Sequence, residues 1–311
     1  MPRLAAYLSD TNSNFLIETD ENSYELATFP YSYETRLFSN QVNIGDFYKQ
    51  VFETISRSYK KKLSDFDIYI ASNQKDLNFP FDVKGNVSIN QVLDSFRDYQ
   101  VLLLGPRRVY AKGLVNGAVK TAKTDQEESK FFDNSLLYSQ IIPNDVAAQT
   151  FVDSSIIGSF NYFFNEGTPV VLSGDRFNNL YSDDELSYVV GLESIRNNGI
   201  YDVYVSPQNA IVLIQTLKMF VKGITISPLD YSVRLGSLIK SSGGAECLIK
   251  SDLDTQQFFE VKKNSIFTLP LLENDKSIIQ VKLHDNETIE RNVDGGKIGL
   301  IVDTRDSDNS V

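Results

Sequence analysis

The chain opens with three short apolar runs broken by polar clusters. Leu4 to Ser9 and Phe15 to Thr19 flank Asp10-Thr11-Asn12-Ser13-Asn14, and Tyr24 to Phe29 follows Asp20-Glu21-Asn22-Ser23. Such runs predict strands joined by hairpins. Pro30 ends the third. The period then changes: Tyr48, Phe52, Ile55 and Tyr59 recur on one helical face, which predicts a helix near 46–60. Lys60-Lys61-Lys62 falls at its C-terminal end, where cations complement the carbonyl end of the helix dipole. We prefer that reading to a membrane or nucleic-acid patch. Asp67 to Ala71 reads as a strand. Ser88 is a suitable N-cap for a helix carrying Ile89, Val92, Leu93 and Phe96. Val101-Leu102-Leu103-Leu104-Gly105 is a continuous apolar run, as expected of a strand covered on both faces.

Residues 106–135 carry little pattern, and the polar run Lys123 to Lys130 reads as a linker. Beyond it, Pro143-Asn144-Asp145 opens a helix with Val152, Ile156, Phe160 and Phe163 as its apolar stripe. Val170-Val171-Leu172 reads as a buried strand running into Ser173-Gly174-Asp175. Ser182-Asp183-Asp184-Glu185 is a capping box, and the helix it opens closes at Asn197-Asn198-Gly199. The acidic triplet therefore belongs to a helix start before it belongs to a metal site. Ile200 to Val205 is the next strand. Ser206-Pro207 starts a helix through Ala210, Leu213, Ile214, Leu217 and Val221. Strand–helix–strand–helix argues for parallel pairing. After Gly223 helical periodicity stops. Glu246 to Ile249, Phe258 to Val261, Ser265 to Leu269, Ile278 to Leu283 and Ile298 to Val302 are short runs between polar turns. That texture predicts a small β-sandwich or barrel.

Composition narrows the class. The 311 residues are 41% hydrophobic and 23% charged, with a net charge of -11. An acidic chain repels phosphate backbones, so no nucleic-acid partner is expected. The single cysteine, Cys247, cannot form an intramolecular disulfide, which fits a reducing, cytoplasmic setting. No apolar run is long enough for a transmembrane segment, and the one at the N-terminus is too short for a signal peptide.

The order β-β-β-α-β-α-β over 4–105 is that of a ribonuclease H-like half-fold, the unit duplicated in actin-like ATPases. Two motifs extend the likeness. Val170-Val171-Leu172-Ser173-Gly174-Asp175-Arg176-Phe177 resembles the adenosine turn of actin-like ATPases, where a strand ends in two glycines. Leu235-Gly236, Leu269-Pro270-Leu271 and Gly295-Gly296-Lys297-Ile298-Gly299-Leu300-Ile301-Val302-Asp303-Thr304-Arg305 resemble the C-terminal part of bacterial relatives of the glutamate mutase accessory protein. Those relatives continue Gly-Arg-Pro, whereas this chain has Asp306-Ser307-Asp308. The expected fold class is thus α/β, a ribonuclease H-like or actin-like core with a C-terminal all-β sandwich or barrel. The expected divisions are a first α/β domain at 1–125, a second, incomplete one at 126–224, an all-β domain at 225–305 and a disordered tail at 306–311.

The resemblance implies a nucleotide site, and the sequence departs from it. Phosphate hairpins need Asp for the Mg²⁺ shell and Gly for close backbone approach. Asp10-Thr11-Asn12-Ser13 has the carboxylate and hydroxyls, with Asn12 where the relatives carry Gly. As a plain reading it is a polar hairpin turn. No second phosphate hairpin is legible, and Arg107-Arg108 after Gly105-Pro106 reads as an exposed strand-end pair before it reads as an anion contact. In the adenosine turn, Asp175 follows Ser173 and Gly174 where a second glycine is expected, and a carboxylate there repels phosphate. The candidate cofactor-binding residues are therefore Asp10, Thr11, Asn12, Ser13, Ser173, Gly174 and Asp175. His284, the single histidine, reads as part of a turn. No catalytic or metal-ligating set is expected. The leading functional expectation is a non-catalytic, degenerate actin-like pseudo-ATPase acting as a scaffold or assembly partner of another protein, with no bound cofactor. The alternatives are an actin-like, ATP-Mg²⁺-binding or chaperone-like reactivating protein, and a small-molecule binder.

Overall fold

The computed structural model describes residues 1–9, 12–20, 23–30, 43–73, 77–105, 108–112, 119–123, 164–174, 195, 197–251, 255–273, 275–283 and 288–305. Asp10, Thr11, Asp175, His284, the tail, most of the expected linker and the helices expected after Pro143 and after Ser182 lie outside these residues.

The first sheet holds β1 (Arg3–Leu8), β2 (Ser13–Asp20), β3 (Ser23–Phe29), β4 (Asp67–Ser72) and β5 (Gly85–Ser88), in the order β3-β2-β1-β4-β5. The three leading strands form an antiparallel meander, and β4 and β5 add in parallel. A parallel pair needs a crossover, and α1 (Ile44–Ser58) supplies the one from β3 to β4. Its N-cap is Asn43, whose Oδ1 accepts from the Gly45 N–H at 2.7 Å. The face of α1 carrying Phe47, Tyr48, Val51, Phe52 and Ile55 packs on Leu4, Ala6, Phe15, Ile17, Ile68 and Ile70. The connection from β4 to β5 shows no helix among the described residues. Instead Leu77, Phe79, Phe81 and Val83 pack into the α1 core, with the Phe52 and Phe81 rings 5.0 Å apart.

The second sheet begins with β6 (Gln100–Leu104), β7 (Arg108–Lys112), β8 (Val119–Lys123), β9 (Val170–Ser173) and β10 (Gly199–Val205). Their order is β8-β7-β6-β9-β10. The β6–β7 and β7–β8 pairs are antiparallel, and β6–β9 and β9–β10 are parallel. This repeats the arrangement of the first sheet strand for strand. The apolar run at Val101 is therefore the first strand of the second unit, whereas the sequence pattern made it the last of the first. The strands that the sequence pattern leaves out of the second unit are β6, β7 and β8.

Two helices lie between the sheets. Ile89, Val92 and Leu93 of α2 (Ile89–Asp94), and Ile211 to Ile214 and Leu217 of α3 (Ala210–Phe220), share one core with Ala5, Tyr7 and Leu16 of the first sheet. Val101, Leu103 and Val171 close that core from the second sheet. A helix apolar nearly all round, as α3 is, needs such cover on several sides.

The remaining strands are β11 (Val233–Lys240), β12 (Ala245–Ser251), β13 (Gln256–Val261), β14 (Ile266–Leu269), β15 (Lys276–Leu283), β16 (Thr288–Asp294) and β17 (Gly299–Asp303). After Gly223 the described residues form strands and one 3-10 turn, Pro228–Tyr231. The strands do not stand apart. β11, β17 and β14 extend the second sheet beyond β10, and β13-β12-β15-β16 form a separate antiparallel sheet. The two pack face to face through Ile200, Ile239, Leu300 and Val302 on one side, and Cys247, Ile249, Ile279, Val281 and Leu283 on the other. One layer of this sandwich is thus the α/β sheet itself.

Candidate functional site

The four described candidate residues, Asn12, Ser13, Ser173 and Gly174, fall in two different sheets. Asn12 precedes β2 and Ser13 is its first residue, while Ser173 is the last residue of β9 and Gly174 follows it. The β1–β2 turn closes on itself. Ser9 N–H donates to the Asn12 carbonyl at 3.0 Å, Ser9 Oγ donates to the same oxygen at 2.9 Å, and Asn12 N–H donates to Ser9 Oγ at 3.0 Å. Ser13 is buried in the strand that follows, paired with Leu8 and Phe29. The backbone N–H groups of Ser9 and Asn12 are thus both used inside the turn.

At the end of β9 the chain turns at Gly174 with φ of +118°. A Cβ built there would lie 2.1 Å from the Leu104 carbonyl oxygen. Glycine is required by the approach of one backbone to another, at the mouth of β6. Ser173 is buried and donates from Oγ to Asn209 Oδ1 at 3.1 Å. Asn209 is itself buried, in a left-handed conformation beside left-handed Gln208 (φ 56° and 51°). Ser206 follows β10: its N–H donates to the Leu172 carbonyl at 2.8 Å, and its Oγ accepts from the Ile211 N–H at 2.8 Å. Ser173 is thereby held in a polar web linking β9 to the start of α3.

Sequence reasoning missed three members of these clusters. Leu104 bounds the β9 turn through its backbone, which leaves no side-chain signal. Asn209 sits inside what reads as an ordinary helix start. Asn14, buried on β2, accepts from Thr28 Oγ1 at 3.1 Å, while its Nδ2 has no partner within the described structure. Its cross-strand neighbour Tyr7 donates from its hydroxyl to Asn73 Oδ1 at 3.0 Å. These polar side chains read from the sequence as ordinary turn and strand residues.

Of the described donors, the Ser9 and Asn12 N–H groups close within the β1–β2 turn, and the Gly174 backbone packs against Leu104 of β6. Among the described residues no three acidic, histidine or cysteine side chains cluster in a way that could hold a metal ion.

The duplicated strand order is that of two ribonuclease H-like units, the architecture of an actin-like fold. No protein-family model matches it, and no curated protein matches its sequence. Among solved structures it is similar to the ethanolamine utilization protein EutJ from Carboxydothermus hydrogenoformans. That likeness has 13% identity over 71% of this chain and 90% of the other, with a TM-score of 0.40. It is also similar to the type II variant of the Aquifex aeolicus Ppx/GppA phosphatase, at 8% identity over 65% and 76% of the two chains, with a TM-score of 0.33. At these scores the likenesses carry no argument, and the fold reading rests on the strand order. Among the described residues no helix is long and apolar enough to cross a membrane.

Proposed function

We propose that this chain is an actin-like protein that does not turn over nucleotide and acts through assembly with another protein. The observation that supports it is the closed β1–β2 turn, where Ser9 and Asn12 satisfy each other. Phosphoryl transfer is almost wholly positioning and charge stabilisation, so it needs free backbone donors at the phosphates. With Asn12 in place of glycine and Gly174 packed on Leu104, two of the elements that would supply them are committed elsewhere. What the architecture then offers is surface.

The alternative is a nucleotide-binding, chaperone-like protein. In its favour, Gly174 stands at the end of the strand where an adenosine turn belongs. Phosphate release with ATP and Mg²⁺ separates the two readings. The purified protein is expected to release phosphate at the buffer rate. Turnover above that rate, lost on Asp10→Ala, would remove the non-catalytic reading. Tm raised by ATP-Mg²⁺ without turnover would favour the alternative.

A further inference from the structure

The small antiparallel sheet presents an outer face whose rows run across all four strands. The central row is Phe258–Leu248–Gln280–Glu290. On one side lies Glu260–Glu246–Lys282–Thr288, and on the other Gln256–Lys250–Ile278–Asn292. Three features of this face are costly for an isolated monomer. Phe258 is 65% exposed although it lies on a strand. β13 is paired only with β12 among the described residues, so one backbone edge is open. Glu260 and Glu246 stand directly opposite each other, and like charges in that position are destabilising. Lys282 reaches Glu246 at 3.6 Å but lies on the far side of it from Glu260.

Exposed edges are ordinarily blunted with charges, prolines or bulges. β13, Gln256-Gln257-Phe258-Phe259-Glu260-Val261, carries a single charge and no proline. We infer that β13 pairs antiparallel with β13 of a second copy of this chain, about a two-fold axis at Phe258. The register is dictated by the rows. A two-fold axis perpendicular to the sheet keeps outer residues on the outer face, so Phe258 meets its own copy and Gln256 meets the copy's Glu260. The central row then becomes Leu248–Phe258–Phe258–Leu248, an apolar band with both aromatic rings covered. The flanking row becomes Lys250–Gln256–Glu260–Glu246–Lys282, the last three from the copy. The Gln256 amide donates to the glutamate pair, and Lys250 adds a cation one strand further on. All three features of the single face are met by the same register, and Glu260 stays clear of its own copy. Such a contact is isologous and closes as a dimer, without propagating.

The test is sedimentation of the full chain, together with cross-linking. The wild type is expected to show a concentration-dependent dimer. Phe258→Glu or Gln256→Glu, which sets Glu against Glu260 of the copy, should weaken it by about tenfold or more. Phe258→Cys should give a disulfide-linked dimer under mild oxidation, since cross-strand Cα spacing falls within disulfide reach. Ile278→Cys, 41% exposed on the same face but two strands from the edge, should not. Cys247 will not interfere, being buried with its thiol pushed up to about 12. A wild type that stays monomeric throughout would overturn the inference. So would a dimer indifferent to both glutamate variants, or one in which Phe258→Cys fails to cross-link. Phosphate release is read separately, and neither result decides the other.

Discussion

Asp303 shows how a buried charge is kept in this protein. Only 1% of its side chain is exposed, and burial alone would push its carboxyl upward. The Arg305 hydrogen bond and the Lys240 and Arg305 charges outweigh that, holding it below its ordinary value of 3.8. Lys240 Nζ lies 2.8 Å and Arg305 Nη2 2.9 Å from Oδ2. A carboxyl with a depressed folded-state pKa stabilises the fold above its unfolded value, and the contribution fades as pH falls through the folded one. Asp303→Asn should therefore cost about 3–5 kcal/mol at neutral pH, because Lys240 would face a neutral amide in a buried site. The gap between variant and wild type should narrow below about pH 4. Denaturant titrations across pH check this, and a gap independent of pH would count against the ion pair as its source.

At the scale of elements, the glycines of the C-terminal motif explain one another. β10 and β11 change register between Val203 and Tyr204, which leaves Leu235 as the extra residue beside Gly236. Gly236 has φ of +138°, and a Cβ there would lie 1.8 Å from the Gly299 carbonyl oxygen on β17. Gly236→Ala should cost about 2–4 kcal/mol, from backbone strain and the collision together. Gly223→Ala is the control: its φ is +83°, but nothing lies within 4 Å, so only strain of about 1–2 kcal/mol applies. Urea midpoints of the two variants separate the contributions, and equal losses would remove the collision from the account.

Elements were legible where burial was written as apolar runs. β9, β10 and α3 follow their sequence signals closely because each is covered on both sides. β7 and β8 were not, since Arg108-Val109-Tyr110-Ala111-Lys112 and Val119-Lys120-Thr121-Ala122-Lys123 mix lysines into strands. Lys112 is nonetheless buried, reaching Asp94 at 3.4 Å, a pairing no local pattern announces. With those two strands unseen, β6 was naturally assigned to the preceding unit. In β16, Thr288-Ile289-Glu290-Arg291-Asn292-Val293-Asp294, charged and amide side chains hide the strand in the same way. At the candidate site the glycine of the β9 turn was visible, but its neighbour was not, because Leu104 contributes a carbonyl.

The whole molecule joins two like units through a shared core rather than a thin hinge. α3 follows the second unit's β10, yet its terminal Phe220 stacks on Tyr69 of the first sheet with ring centroids 5.7 Å apart. Gly85 makes room, since a Cβ there would lie 2.6 Å from the Phe220 ring. Net charge acts at this scale too. With -11 overall, random duplex DNA should not be bound at physiological salt. Gel shifts at increasing salt test this, and micromolar binding that weakens as salt rises would contradict it.

β17 lies inside the large sheet, parallel to β11 and antiparallel to β14. On the ribosome this imposes a sequence of events. The first sheet is complete in the nascent chain by Ser88, and its pairings can form early. β14 is synthesised before its neighbour β17, and β11 waits with an open flank until Gly299 to Asp303 emerge. Until then the strands least able to stand alone are the ones already made, because the 29 residues from Pro270 to Ile298 separate β14 from the strand that seals the sheet.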